Sequence, residues 1–285
     1  MILSASDGAL EEKLARVTGP LAAVIGCPIA HSLSPAIHGY WLKNAGIDGA
    51  YLAIEVEDEA GLERIMDLIR AGILIGVNVT APLKEQAFAR ADAVSDSARA
   101  AGAANLLLAR QGRLEVDCLD GEGIMAAIAQ QAPDQGALDP CLILGAGGAA
   151  RAAAAALVER GVADIRIASR TLERSRTLAA AFGAQAYGWD ELERATCGVR
   201  LLIDATGAET RPPLESLAKG AVVLDMRYRP LQTALLAHAK AMGLRPVDGL
   251  AMLIGQARPS FCRLFGREPL GDPRPVALAA MERQP

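Results

Sequence analysis

The segment of this chain best suited to chemistry is Asn78-Val79-Thr80-Ala81-Pro82-Leu83-Lys84. Asn78 and Thr80 are two residues apart, so they share one side of a strand end. Pro82 is expected to start a helix with Lys84 in its first turn. A cation is disfavoured at a helix N-terminus, so Lys84 either has a partner or stays in water. A lysine with a depressed pKa at such a place suits acid/base work near neutral pH. Asn105 and Asp120 each fall at a junction between a strand and a turn. Lys84 and Asp120 together could share a proton or hold a substrate hydroxyl. His31-Ser32-Leu33-Ser34-Pro35 follows a strand and opens a helix. Its two hydroxyls beside free helix N–H groups form a carboxylate cradle. Alternatively, Ser34 is simply an N-cap before a proline at the first helical position.

A second set of residues points to a nucleotide. Gly145-Ala146-Gly147-Gly148-Ala149-Ala150 fits G-x-G-x-x-A. The first glycine allows the tight turn, the second a close approach to a pyrophosphate, and alanine in the third place close helix–strand packing. The helix that follows offers its N–H groups and positive dipole end to the phosphates. Apolar Cys141–Leu144 precedes the motif, an alanine-rich helix follows, and a second strand comes about 20 residues on, as the dinucleotide fingerprint requires. Where an NAD enzyme places an acidic residue, this chain has Ser169-Arg170-Thr171, with Arg174 one turn later. A carboxylate there would repel a 2′-phosphate, and a guanidinium pairs with it. NADP is therefore the expected cofactor. Otherwise, Arg170 and Arg174 are ordinary surface helix residues.

Elements of α/β type must position these groups. Short apolar runs alternate with helical patterns, the mark of βα units and a mainly parallel sheet. Strands are expected at Leu21–Gly26, Tyr51–Val56 and Ile73–Val79, and helices from Ser34 and over Glu59–Ala71. Asn105–Leu108 and Leu114–Asp117 read as a hairpin. Polar Gln130–Asp139 reads as a connecting loop. Strands at Cys141–Leu144, Asp164–Ser169, Leu201–Ala205 and Ala221–Met226 form a dinucleotide-binding unit. A final apolar helix, Leu250–Leu264, is expected to return to the first domain. The boundaries are thus 1–120 with 249–285 for a substrate-binding domain, and 121–248 for a Rossmann-type domain.

The composition suits two such cores. The chain has 285 residues, 52% hydrophobic and 22% charged, with aromatics at only 4%. Packing therefore rests on Ala, Leu, Ile and Val, as in buried parallel sheets. A net charge of −4 gives no basic footprint for nucleic acid. Five scattered cysteines imply free thiols in a reducing compartment, and three scattered histidines argue against a zinc site. No apolar run reaches the roughly 18–20 residues of a membrane span. The N-terminal stretch mixes charges with apolar residues, unlike a signal peptide. A cytoplasmic protein, monomer or homodimer, without a metal is expected.

Along nearly its whole length the chain resembles the shikimate dehydrogenase family. The resemblance lies in GCPIAHSLSPAIHGYWL, GVNVTAPLKE, GAANLL, LDGEG, LILGAGGAARA, ASRTLERS, VVLDMRYRPLQTALL and DGLAMLIGQARPSF, in that order. It implies two α/β domains and NADP-dependent reduction of 3-dehydroshikimate to shikimate. By matching position, it implies that Ser32, Ser34 and Tyr228 bind the substrate carboxylate. Asn78, Thr80, Asn105 and Gln256 would hydrogen-bond the ring hydroxyls. Lys84 and Asp120 would be the catalytic pair. Gly145, Gly147, Gly148, Ala149, Ser169, Arg170, Thr171, Arg174, Thr206 and Gly249 would hold NADP. The chain departs from the family's pattern in several places. It has Cys118-Leu119-Asp120-Gly121 for Asn-Thr-Asp-Gly, and Asp204-Ala205-Thr206-Gly207 for Asn-Ala-Thr-Ser. Arg227 replaces an apolar residue and Leu106 a threonine. These changes leave open a relative acting on quinate, aminoshikimate or a related cyclic hydroxy acid, or a weakly active NADP-binding regulatory protein.

Overall fold

The structure, a computed structural model, describes residues 2–134 and 136–283. Gln135, in the expected connecting loop, and residues 284–285, at the end of the expected first domain, lie outside the described residues, as does Met1. The chain forms two α/β units. One comprises residues up to Leu119 together with those from Ala257 onward, and the other Asp120–Gln256.

The first unit contains β1 (Ile2–Ser4), α1 (Leu10–Ala15), β2 (Leu21–Gly26), α2 (Ser34–Asn44), β3 (Ala50–Glu55), α3 (Glu59–Arg70), β4 (Gly76–Val79), α4 (Lys84–Ala89), β5 (Ala93–Val94), α5 (Asp96–Ala101), β6 (Leu106–Arg110) and β7 (Arg113–Asp117). Its seven strands lie in the order β1-β3-β2-β4-β6-β7-β5. β2 is buried along its whole length, because parallel neighbours on both sides and helices over the faces leave it no wet side. α3 shows how these helices are specified. Asp58 caps it by accepting from the Gly61 N–H at 2.8 Å, and Leu62, Ile65, Met66 and Ile69 recur every three or four residues on the buried face. β6 and β7 form the expected antiparallel hairpin, with Leu106 opposite Asp117.

The second unit contains α6 (Asp120–Gln131), β8 (Cys141–Leu144), α7 (Gly148–Glu159), β9 (Ile165–Ser169), α8 (Leu172–Phe182), β10 (Gln185–Gly188), α9 (Leu192–Thr196), β11 (Leu201–Asp204), β12 (Val222–Asp225), α10 (Ala234–Ala241), β13 (Arg245–Asp248) and the first part of α11 (Gly249–Phe265). The remainder of α11 and all of α12 (Arg274–Arg283) belong to the first unit. Six parallel strands lie in the order β10-β9-β8-β11-β12-β13. Alternation splits their side chains between two cores. Cys141 and Ile143 pack with Ile124, Leu157 and Ile167 on one face, and Leu142 and Leu144 pack with Leu192, Leu202 and Leu235 on the other.

Several expected boundaries move. Residues 249–256 belong to the second unit, so α11 does not return to the first unit until Ala257. α6 runs through Gln131, so the connecting loop starts later than expected. Helix α4 begins at Lys84, and Pro82 lies in the turn before it. β1, β5, β10 and β13 have no counterpart in the sequence reading. They are short, and Pro246 in β13 or the two-residue β5 gives no periodic signal. Edge pairing, not pattern, makes them strands.

Candidate active site

In the first unit the predicted polar residues gather at one end of the sheet. Ser32 and Ser34 follow the carboxyl end of β2. Asn78 and Thr80 lie at and just past the end of β4. Asn105 immediately precedes β6, which runs antiparallel to β4 with Leu106 opposite Asn78. The carboxyl ends of parallel strands are where open α/β sheets bind ligands.

Local hydrogen bonds fix each group. The Ser32 Oγ accepts from the Ser34 N–H at 3.3 Å, so Ser32 turns the chain into α2. Ser34 is itself the first helical residue, Leu33 occupies the cap position, and no side chain caps the helix. This resolves the N-cap alternative against Ser34. The buried Ser34 hydroxyl instead hydrogen-bonds Tyr51. Asn78 is also buried. Its Oδ1 accepts from Tyr51 Oη at 2.7 Å and from Ser260 Oγ at 2.9 Å, and its Nδ2 donates to the Asn105 carbonyl at 3.0 Å. The Asn105 Oδ1 accepts from the Leu119 N–H at 2.8 Å. Thr80 is pinned through its backbone, its N–H donating to Ile25 O at 2.9 Å. Lys84, partly buried, heads α4, and its carbonyl accepts from the Ala104 N–H at 2.9 Å. Tyr51 and Ser260 were not singled out in the sequence. A tyrosine within the aliphatic strand β3 and a serine on an apolar helix are the only signals they carry.

In the second unit, Asp120 is buried and forms the first residue of α6. The glycine loop follows β8. Gly145 has φ +109°, and a Cβ there would lie 3.1 Å from the Ala205 carbonyl oxygen, so the turn beside β11 requires glycine. β8 is flanked by β9 on one side and β11 on the other, and chain order reverses there, which makes it the topological switch point. Gly147 precedes α7, and nothing lies within 4 Å of a Cβ built on it. That open backbone, followed by a helix of 12 residues beginning Gly148-Ala149, fits a pyrophosphate.

Past β9, Arg170 and Arg174 are exposed, and among the described residues neither has an ion-pair partner. Two free guanidiniums flanking Thr171, with no carboxylate in the loop, fit a 2′-phosphate. Ser169 differs from expectation: it is buried, donating to the Thr171 carbonyl at 2.8 Å and bonded to Ser175 Oγ at 2.7 Å. Its hydroxyl shapes the loop. The Thr206 hydroxyl likewise donates to Asp204 Oδ1 at 2.6 Å. A Cβ on Gly249 would lie 2.4 Å from the Met226 carbonyl oxygen, so backbone crowding alone demands this glycine. Burial raises the Tyr228 phenol above its ordinary value and Arg229 opposes that, so it remains a neutral hydrogen-bond donor. Gln256, partly buried, is on α11. No group of three or more His, Cys, Asp or Glu able to hold a metal occurs among the described residues.

The family model for the shikimate dehydrogenase substrate binding domain matches residues 24–107, and that for shikimate / quinate 5-dehydrogenase matches residues 127–219. Shikimate dehydrogenase (NADP(+)) of Paracoccus denitrificans is 45% identical over 263 residues, covering 89% of this chain and 93% of that protein. The chain belongs to the shikimate dehydrogenase family. The enzyme of the same name from Rhodospirillum rubrum is 44% identical over 272 residues, covering 90% of this chain and 94% of its own length. Among solved structures, shikimate 5-dehydrogenase from Thermus thermophilus in complex with NADP(H) and shikimate superposes with a TM-score of 0.81 at 39% identity. That match covers 92% of this chain and 99% of the other. The family and the two-unit α/β class expected from the sequence are the ones found.

Proposed function

We propose that this chain reduces 3-dehydroshikimate to shikimate, reversibly, with NADPH as the reductant. It is an NADP-dependent oxidoreductase of the shikimate dehydrogenase type. One observation carries the assignment of roles in the first unit. Ser32, Ser34, Asn78, Thr80 and Asn105 gather at one end of a single sheet with Lys84 on the adjoining helix, in a chain of this family. They supply hydroxyl and amide groups for a small acid with several ring hydroxyls, and one cation.

The cofactor, when bound, supplies the hydride. The chain's own groups do the rest. Ser32 and Tyr228 hold the carboxylate as hydroxyl donors, and Ser34, whose hydrogen goes to Tyr51, lines the same subsite. Asn78, Thr80, Asn105 and Gln256 orient the ring. The Lys84 ammonium stabilises negative charge on the carbonyl oxygen as it becomes an alkoxide and delivers the proton. Asp120, the second member of the proposed catalytic pair, accepts a hydrogen bond from a substrate hydroxyl. Gly145, Gly147, Gly148 and Ala149 would hold the pyrophosphate, and Arg170, Thr171 and Arg174 the 2′-phosphate. Thr206 and Gly249 shape the remaining cofactor surface. None of the five cysteines is in a disulfide, and no helix among the described residues is long and apolar enough to cross a membrane. Both fit a cytoplasmic enzyme, which acts as a monomer or homodimer.

The test is a spectrophotometric assay with NADP and NAD against shikimate, quinate and an aminated shikimate. Shikimate with NADP should give the highest kcat/KM. A higher value with quinate or the amine would replace the substrate assignment and leave the chemistry.

A further inference from the structure

Asn78 sits in a hydrogen-bond network that leaves it only one way to meet a ligand. An amide oxygen has two lone pairs and an amide nitrogen two hydrogens. Both Oδ1 lone pairs are filled, by Tyr51 Oη at 2.7 Å and Ser260 Oγ at 2.9 Å. One Nδ2 hydrogen is given to the Asn105 carbonyl at 3.0 Å. That carbonyl cannot donate, so a flipped amide would set oxygen against oxygen there, and the network fixes which end is which. The second Nδ2 hydrogen is the group left for a ligand.

The three partners are held by different elements. Tyr51 is on β3, Asn105 precedes β6 and Ser260 is on α11. Ser260 is 0% exposed and Tyr51 only 6%, so water does not compete for the amide oxygen. The Tyr51 ring is stacked on His38, with centroids 4.0 Å apart and planes 8° from parallel. His38 is packed in turn against Trp41 and Phe261. Burial holds His38 down to about 3, so this support is a neutral ring. The hydroxyl end of Tyr51 is therefore aimed by packing as well as by its hydrogen bond.

We propose that Tyr51 and Ser260 are positioning residues that lock Asn78 as a pure donor. The subsite then takes a ring substituent with a free lone pair, a hydroxyl or carbonyl oxygen, and rejects an ammonium. This rests on the reading of Asn78 as a contact to a ring hydroxyl. Removing either hydroxyl empties one buried lone pair and loosens the amide. The loss should appear in substrate binding, because the donor contact is made in the ground state and in the transition state alike.

The experiment uses the full-length enzyme and the variants Tyr51→Phe, Ser260→Ala and Asn78→Ala, alone and combined. Shikimate, analogues each lacking one ring hydroxyl, and the analogue with an amine at the position Asn78 reads are assayed with NADP. Each positioning variant should raise KM for shikimate roughly fivefold to twentyfold, the size of one hydrogen bond lost in a buried network. KM for NADP should stay within about twofold, and kcat should fall less than KM rises. In the Asn78→Ala background Ser260→Ala should change KM by less than about twofold, and Tyr51→Phe should lose most of its effect, keeping only the part that passes through Ser34. The amine analogue should be at least about tenfold poorer than shikimate in the parent enzyme. Equal effects with and without Asn78, or equal shifts for NADP and shikimate, would overturn the inference and leave Tyr51 and Ser260 as packing residues. So would full acceptance of the amine. An Asn78→Ala enzyme with normal KM for every substrate would remove the underlying reading as well. A raised KM in Asn78→Ala with none in Tyr51→Phe or Ser260→Ala would sink the positioning role alone. Should Tyr51→Phe fail to fold, Ser260→Ala carries the same test.

Discussion

Arg227 folds back onto Asp225, with Nη2 2.8 Å from Oδ2 and Nε 3.2 Å from Oδ1. Asp225 ends β12 and is in register with Asp204, which ends β11, so two buried carboxylates lie side by side. Arg227 and Asp204 both depart from the family's usual residues, and the structure gives them a shared logic. The guanidinium neutralises one carboxylate, while Thr206 and Thr210 donate to the other. Arg227→Ala should leave Asp225 buried and uncompensated, costing about 3 kcal/mol, the low end for breaking a buried pair because Arg227 keeps some exposure. Urea denaturation would measure it, and a loss near zero would refute this account.

Asp204 makes stability depend on pH. Burial raises its carboxyl above the ordinary 3.8 and Asp225 adds to this, against the hydrogen bonds from Thr206 and Thr210. Below 3.8 the group is protonated whether the chain is folded or not, and there is no penalty. As pH rises, the unfolded chain ionises first and the folded protein loses stability until its own higher pKa is passed. Above that the penalty is constant. Asp204→Asn, which restores the family's usual residue, removes it. The melting temperature of the variant relative to the parent should therefore rise as pH increases from about 4 and level off once the raised folded-state value is passed. A difference that shrinks over that range would contradict the assignment.

Cofactor choice should rest on Arg170 and Arg174. Both are exposed at the turn into α8, and among the described residues neither has an ion-pair partner. Arg170→Ala should raise KM for NADP by at least about tenfold, the cost of a lost charge-assisted hydrogen bond to the 2′-phosphate, and leave KM for NAD nearly unchanged. Equal effects on both cofactors would assign Arg170 to the surface.

Catalysis should fail when the ammonium is removed. Lys84→Ala should lower kcat by at least about a hundredfold, with a smaller change in KM. Asp120→Asn should lower kcat too, and the two together should be less than additive if they act as a unit. Near-normal kcat in Lys84→Ala on shikimate would leave that lysine a binding residue.

Much was legible in the sequence because its causes are local. Short apolar runs marked β2, β3, β8, β9, β11 and β12, since a strand buried on both faces must be apolar throughout. The glycine loop was legible because Gly145 answers a backbone demand that no other residue meets cheaply. Motif order was enough to name the family and the polar residues in it.

Tertiary contacts decided the rest. Edge strands such as β5 and β13 exist only through their partners, so no periodicity announces them. Ser169 looks like a ligand residue by position, yet its hydroxyl turns inward to Ser175. Ser34 looks like a cap, yet Ser32 makes the turn and Ser34 joins Tyr51. The aim of the Asn78 amide depends on Tyr51, Asn105 and Ser260, which lie 27, 27 and 182 residues away in the chain. A hydrogen-bond network of that reach has no signature in one dimension. Each donor and acceptor finds its partner only after separate strands and a distant helix have packed together.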